Sequence, residues 1–219
     1  MSFSIIMLIN GGTDMIKSVR ENFEHEIIIN KSRFICVLVP LHSIEEVQEH
    51  LELYKEIYPE ANHYCYAYIY DGSIKASDDG EPSKTAGMPM LNVLQKQELN
   101  HILAIVIRYF GGIKLGAGGL VRAHSQSVSQ ALLEAPMVTY ELCPLYQITF
   151  DYSLLKIVDY QIRKFNIKVT NKAYDEKVRY TCFVKDVHFF DLLQEASSNQ
   201  YEKEFIKNEY IEKEEEVDG

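Results

Sequence analysis

Apolar residues in the first 140 positions recur at spacings that predict a sheet. Residues 23–30 and 33–41 are typical of two strands that form a hairpin around the polar pair Lys31-Ser32. Residues 63–70 alternate, so that four tyrosines share one face and Cys, Ala and Ile share the other. Residues 102–107 are all apolar and mostly β-branched, which predicts a buried central strand.

Helical spacing follows these strands at three places. Ser43 and Glu46 have the spacing of a capping box, which predicts a helix that ends near Tyr58. A second helix is expected from about Thr85 to Gln97, and a third from about residue 116 to residue 135. In the third helix we expect His124 to be partly exposed, with no catalytic partner near it in the sequence.

The second half of the chain predicts the element order βαββαβ. The expected strands cover residues 140–152, 167–173, 177–184 and 201–207, and the expected helices cover residues 154–165 and 186–198. This order is the split βαβ, or ferredoxin-like, pattern. We therefore predict an α+β protein of two domains.

The expected segment boundaries are 1–14, 15–137, 138–208 and 209–219. Gly11-Gly12 can be encoded by a ribosome-binding sequence, so we expect residues 1–14 to be a translated leader or a loose extension, with Met15 as the physiological start. The last segment is an acidic tail: eight acids and three lysines after residue 200 give half of the net charge of −10. Such a charge argues against sequence-independent coating of DNA, although it allows a local basic site.

Four scattered cysteines and no Cys-x-x-Cys motif indicate buried free thiols in a reducing compartment rather than a zinc site. No apolar run approaches the length of a membrane span. We therefore expect a cytoplasmic protein that does not associate with a membrane. The oligomeric state cannot be inferred from the sequence.

A glycine-rich stretch between the central strand and the third helix is the main candidate site. Positions 111–119 hold five glycines, and the stretch carries three cations and no acid. Free backbone N–H groups at a helix start, together with these cations, favour binding of a phosphate of RNA or of a nucleotide. Close packing alone is the alternative, and neither a Walker loop nor a Gly-x-Gly-x-x-Gly fingerprint is present. The candidate residues are Arg108, Gly111, Gly112, Lys114, Gly116, Gly118, Gly119 and Arg122.

A second candidate is the acidic segment with Asp78, Asp79 and Glu81. These carboxylates could hold Mg²⁺ or act in acid–base chemistry. We favour a structural role, in which they form a turn and cap the helix that follows. Possible secondary residues beside them are Lys84, His63 and Tyr64. We assign no catalytic residue, no metal ligand and no cofactor.

These motifs resemble the YigZ/IMPACT family. The resemblance covers about residues 26–135 and rests on Ser77–Ser83, Thr85–Gly87 with Pro89, and Arg108–Ala123, with further matches at Lys31–Phe34 and Tyr64–Tyr66. The chain differs from the family pattern at Lys84, where glycine is usual, and at His124, where tyrosine is usual.

The resemblance implies an N-terminal left-handed βαβ domain, of the type seen in a small-subunit ribosomal protein and in domain IV of elongation factor G. It also implies a ferredoxin-like C-terminal domain. Eukaryotic members regulate translation, so the resemblance implies a non-catalytic module that binds the ribosome, structured RNA or a translation-associated protein. The alternative is a phosphate- or nucleotide-handling enzyme related to GHMP kinases. This alternative lacks a phosphate-loop serine, because the first hydroxyl after the glycines is Ser125.

Overall fold

The computed structural model describes residues 15–213, which form a mixed α/β protein with two antiparallel sheets and five helices. Contacts divide the chain into two compact units, with the division between Tyr140 and Glu141. The predicted leader, residues 1–14, lies outside the described residues, as does the end of the predicted acidic tail.

The first unit begins with nine elements. They are β1 (Met15–Val19), β2 (Phe23–Ile29), β3 (Ser32–Pro40), α1 (Glu46–Ile57), β4 (His63–Tyr70), β5 (Ser73–Ser77), α2 (Gly87–Lys96), β6 (Ile102–Tyr109) and α3 (Gly116–Glu134). Five strands form a sheet in the order β2-β3-β6-β4-β5, and all neighbouring pairs are antiparallel. The predicted hairpin and the predicted central strand are both confirmed.

Strand β6 is buried on both faces, and this explains its unbroken apolar sequence. Ile102, Ala104 and Val106 pack in a cluster with residues of α2 and α3. Leu103, Ile105 and Ile107 pack in a second cluster with residues of α1. The alternation predicted for β4 is also confirmed, because its tyrosines contact the α1 cluster while Cys65, Ala67 and Ile69 belong to the other.

The structure differs from the sequence analysis at two places in this unit. The capping box does not form, because α1 begins at Glu46 and the Glu46 carboxylate accepts a hydrogen bond from the His42 N–H at 2.9 Å. Strand β5 was not predicted, since five residues with little apolar content carry a weak signal. It forms because Asp71 and Gly72, with φ of 43° and 81°, make a tight turn that returns the chain along β4.

The second unit contains the end of β7 (Met137–Phe150), followed by α4 (Leu155–Lys164), β8 (Lys168–Tyr174), β9 (Val178–Phe183), α5 (His188–Ala196) and β10 (Tyr201–Glu212). Strand β7 pairs with β1, β9 and β10, and β8 pairs with β9. Strand β7 is continuous through the division between the units, and its first residues belong to the first unit, where the Arg20 N–H donates to the Pro136 carbonyl at 2.8 Å.

Strand β10 is longer than predicted. The sequence argument ended it at Lys207 and began the acidic tail at Glu209, but the strand continues to Glu212. The prediction overlooked Ile211, which is buried with Cys143, Leu145 and Phe183 and holds the end of the strand in place.

All four cysteines are buried and free, as predicted, with Cys36 and Cys65 in the first unit and Cys143 and Cys182 in the second. Burial raises the pKa of each of these thiols. Across residues 15–213, no helix combines the length and the apolar character that are needed to cross a membrane.

Candidate functional site

The glycine-rich stretch connects the end of β6 to the start of α3. Gly112 and Gly116 have φ of +83° and +70°, so these two positions use the conformational freedom of glycine to turn the chain. Helix α3 begins at Gly116, and no side chain in the described part of the protein caps it. The first N–H groups of a helix have no partner within the helix. In α3 the first three residues that carry these groups, Gly116, Ala117 and Gly118, are exposed.

Gly111 has a different role. A Cβ atom there would lie 2.0 Å from the carbonyl carbon of Lys31, in the turn between β2 and β3. The Gly111 N–H donates to Ser32 Oγ at 3.1 Å. Close packing therefore explains why position 111 is a glycine. Gly118 and Gly119 differ, because they lie inside α3, and a Cβ at Gly118 would meet only the Arg122 guanidinium at 3.7 Å.

The three cations of the stretch are not equivalent. Lys114 and Arg122 are exposed. Arg108 is buried, and its Nη1 lies 2.5 Å from Glu81 Oε1, with only 7% and 2% of the two side chains exposed. The sequence argument placed no acid in this stretch and missed the pair, because Glu81 comes from the acidic loop. The sequence did indicate that Arg108 is buried, because it lies on the same face of the strand as the buried residues Ile102, Ala104 and Val106.

Asp78 ties the acidic loop to the start of α2. Its carboxylate accepts hydrogen bonds from the backbone N–H groups of Lys84, Ala86 and Gly87, at 2.7, 3.0 and 2.9 Å. Burial acts to raise the pKa of Asp78, but these hydrogen bonds together hold it below its usual value. The contacts of Asp78 therefore agree with the favoured interpretation, in which an acid of this loop caps the helix.

The other residues of this loop are also held by local contacts. The Tyr64 N–H donates to Asp79 Oδ2 at 2.6 Å, and the Tyr64 hydroxyl donates to the Tyr58 carbonyl, also at 2.6 Å. Lys84 is exposed and has φ of +63°, which explains why glycine suits this position in the family pattern. Within residues 15–213, no three His, Cys, Asp or Glu side chains form a group that could hold a metal ion.

A cavity of about 470 Å³ lies against the start of α3. It brings together five predicted residues: His63, Glu81, Arg108, Lys114 and Gly116. The sequence argument missed Asn62, Phe110 and Ala117, which also line it. Asn62 Oδ1 accepts the Phe110 N–H at 2.7 Å and so fixes the loop at the cavity wall.

His63 lines this cavity, and both of its ring nitrogens lie near the acidic loop. Its Nδ1 lies 2.7 Å from the Asp79 carbonyl oxygen and donates to it, because a carbonyl can only accept. Its Nε2 lies 4.0 Å from Glu81 Oε2. The remaining predicted residues Asp78, Asp79, Tyr64, Lys84, Gly111, Gly112, Gly118, Gly119 and Arg122 lie outside the cavity lining.

His124 is buried, which corrects the expectation of partial exposure. It lies four residues after Leu120 and four before Val128 on the buried face of α3, so its position in the helix could have indicated that it is buried. Its Nδ1 donates to the Leu120 carbonyl at 3.0 Å, and its ring meets Phe34 edge-on at 5.3 Å. No partner for Nε2 is found among the described residues. Burial lowers the pKa of His124.

Comparisons with known proteins support the resemblance indicated by the sequence. The model of the Impact N-terminal domain matches residues 30–132. The chain is 42% identical to the IMPACT family member YvyE of Bacillus subtilis, over 77% of this chain and 79% of that protein. It is 43% identical to the Protein IMPACT homolog of Dictyostelium discoideum, over 39% of this chain and 26% of that protein. A solved structure described as a hypothetical protein has a TM-score of 0.62 at 28% identity, covering 90% of this chain and 99% of that one.

Proposed function

Because the chain belongs to the IMPACT family, we propose that it is a non-catalytic, translation-associated regulatory protein of the cytoplasm that binds the ribosome or structured RNA. The resemblance supplies the link to translation, as an analogy with eukaryotic members. The observation that supports RNA as the ligand is the uncapped start of α3, flanked by the exposed side chains of Lys114 and Arg122. Backbone donors and exposed cations together suit a phosphate group.

We also infer the domain types that the family resemblance implies. The element order of β7 to β10 with α4 and α5 supports a ferredoxin-like C-terminal domain, as do the pairings of β7 with β9 and β10 and of β8 with β9. The first unit would be the left-handed βαβ domain. The proposed limits become residues 15–140 and 141–212, because the chain divides after Tyr140 and β10 continues to Glu212.

The test is binding to purified ribosomes and to a structured RNA at several salt concentrations. We expect Lys114→Ala and Arg122→Ala each to weaken binding and to reduce the log–log salt slope by about one unit for each phosphate that the variant leaves unneutralised. Lys96→Ala, which removes an exposed lysine from the end of α2, is the matched control and should leave the slope unchanged. If the folded double variant binds as tightly as the parent at every salt concentration, the stretch does not bind RNA. Mg²⁺-dependent ATP turnover that Asp79→Ala abolishes would instead point to a GHMP-related enzyme.

A further inference from the structure

We propose that the cavity at the start of α3 binds one nucleoside monophosphate group, present either as a free nucleotide or as the phosphorylated end of an RNA strand. This inference rests on the proposed function and gives it a more specific ligand. The volume of about 470 Å³ lies within the range of small-molecule sites and limits the occupant to about one nucleotide.

The charges around the cavity favour a terminal phosphate over an internal one. Glu81 and Arg108 cancel each other as an ion pair. Lys114 and the positive end of the α3 dipole remain. His63 adds no charge in this tautomer: its Nδ1–H donates to the Asp79 carbonyl, so Nε2 is an acceptor that suits a hydroxyl of the sugar. A phosphate monoester carries close to two negative charges at neutral pH, whereas an internal diester carries one.

Arg108 supplies an independent indication of a polar ligand. Its side chain lines the cavity and is 7% exposed, and its Nε–H has no hydrogen-bond partner in the described part of the chain. Buried donors are nearly always paired, so an unpaired one calls for an explanation. A phosphate or sugar oxygen in the cavity would give this N–H an acceptor.

Phe110 offers a surface for the base. It lines the same cavity and is 46% exposed, so its ring is open to a ligand. Nucleobases stack on aromatic rings with little preference for sequence, because every base has a π face. A base on Phe110 and a phosphate at Lys114 would place one nucleotide across the cavity, with the sugar between them.

The experiment uses the full chain and three labelled single-stranded RNAs of one sequence, with a 5′-phosphate, a 3′-phosphate or only hydroxyl ends. Fluorescence anisotropy gives each affinity, and calorimetry gives the affinity for AMP, adenosine and inorganic phosphate. We expect at least one phosphorylated end to bind about tenfold more tightly than the hydroxyl ends, and AMP to bind more tightly than adenosine or phosphate. If only free AMP shows the preference, the occupant is a free nucleotide.

Matched variants locate the effect. Lys114→Ala should remove most of the preference for a phosphate, and Phe110→Leu should weaken AMP binding without changing the affinity for inorganic phosphate. Lys96→Ala and Ile113→Ala are the controls, since both residues are exposed and neither lines the cavity. Thermal melts followed by circular dichroism confirm that each variant is folded.

The outcomes separate this inference from the proposed function. Equal affinity for phosphorylated and hydroxyl ends, with no binding of AMP, overturns the inference even if structured RNA still binds with a salt dependence. Binding of AMP without any binding of ribosomes or structured RNA supports the inference and overturns the RNA function. The absence of binding to all of these ligands overturns both.

Discussion

Glu81 and Arg108 are both almost fully buried, so the loss of either side chain leaves the other charge without a partner. The pair connects the acidic loop to β6, and Arg108 also reaches Ser32 Oγ at 3.5 Å and lies 5.2 Å from the centre of the Phe34 ring. Three separate segments therefore depend on the position of one guanidinium group.

We predict that Glu81→Ala and Arg108→Ala each reduce the free energy of unfolding by about 3–5 kcal/mol, because each leaves a buried charge uncompensated. Urea denaturation measures the change. The double variant should cost clearly less than the sum of the two, since it leaves no unpaired charge. Glu26→Ala is the control: it breaks the exposed pair with Arg33, which solvent screens and which should contribute little to stability. Additive effects of Glu81→Ala and Arg108→Ala would contradict the pairing.

His124 should make stability depend on pH. Burial lowers its pKa in the folded state below the value of 6.5 that applies when the chain unfolds. Between these two values the unfolded chain binds more protons, so the free energy of unfolding falls as the pH falls below 6.5, by up to about 1.4 kcal/mol per pH unit. Urea midpoints at pH 7.0, 6.0 and 5.5 measure this slope.

His124→Tyr, which introduces the residue usual in the family, should remove most of that slope. His42→Gln is the control, because His42 is exposed and contributes only backbone groups to the hydrogen bonds described above. An unchanged slope in His124→Tyr would mean that another group titrates.

At the scale of the elements, the glycine-rich stretch joins a tightly packed strand end to an open helix start. Gly111→Ala should destabilise the protein by about 1–3 kcal/mol or prevent folding, because the new Cβ would overlap the backbone of Lys31. Gly118→Ala should raise the free energy of unfolding by about 0.5–1 kcal/mol, since it lies in a helix and its new Cβ would meet only the Arg122 guanidinium, at an ordinary contact distance of 3.7 Å.

Gly118→Ala also separates the effect of this glycine on stability from its effect on RNA binding. If RNA approaches the start of α3 closely, Gly118→Ala should weaken RNA binding although it stabilises the fold. Thermal melts and binding isotherms on the same samples give both quantities. Destabilisation by Gly118→Ala would show that this glycine, too, serves the packing of the stretch.

The elements that the sequence predicted well are those with a strong local period. The alternation in β4 and the unbroken apolar sequence of β6 are visible within eight residues, because burial imposes them directly. Strand β5 and the true start of α1 were missed, since their stability comes from a turn and from Glu46 reaching the His42 N–H rather than from a pattern.

The candidate site could be predicted only in part, for a related reason. The glycines and cations lie together in the sequence, with Phe110 beside them, but His63 and Glu81 reach the cavity from two distant segments. Such proximity depends on the strand order, and the sequence pattern contains no local trace of it. The pairing of Arg108 with Glu81 could have been expected from one observation, that a charged residue occupies a buried position of β6.

At the scale of the whole molecule, each unit has apolar clusters formed from its own residues. We therefore predict that residues 15–140, expressed alone, unfold in a single cooperative transition and keep the salt-dependent binding of RNA. Calorimetry and the binding assay at several salt concentrations test this. A fragment that is folded but does not bind would place part of the RNA site in residues 141–213.

The reaction rates of the four buried thiols should report how often each unit opens. A thiol reacts as the thiolate, and burial both shields these sulfurs and raises their pKa values, so a maleimide or disulfide reagent at neutral pH should meet them only when the surrounding unit opens. Two cysteines lie in each unit, so mass spectrometry of the unmodified protein should resolve two labelling rates. The order in which the pairs react would show which unit opens more readily. Labelling with RNA bound would show whether RNA slows the reaction only in the unit that carries the glycine-rich stretch.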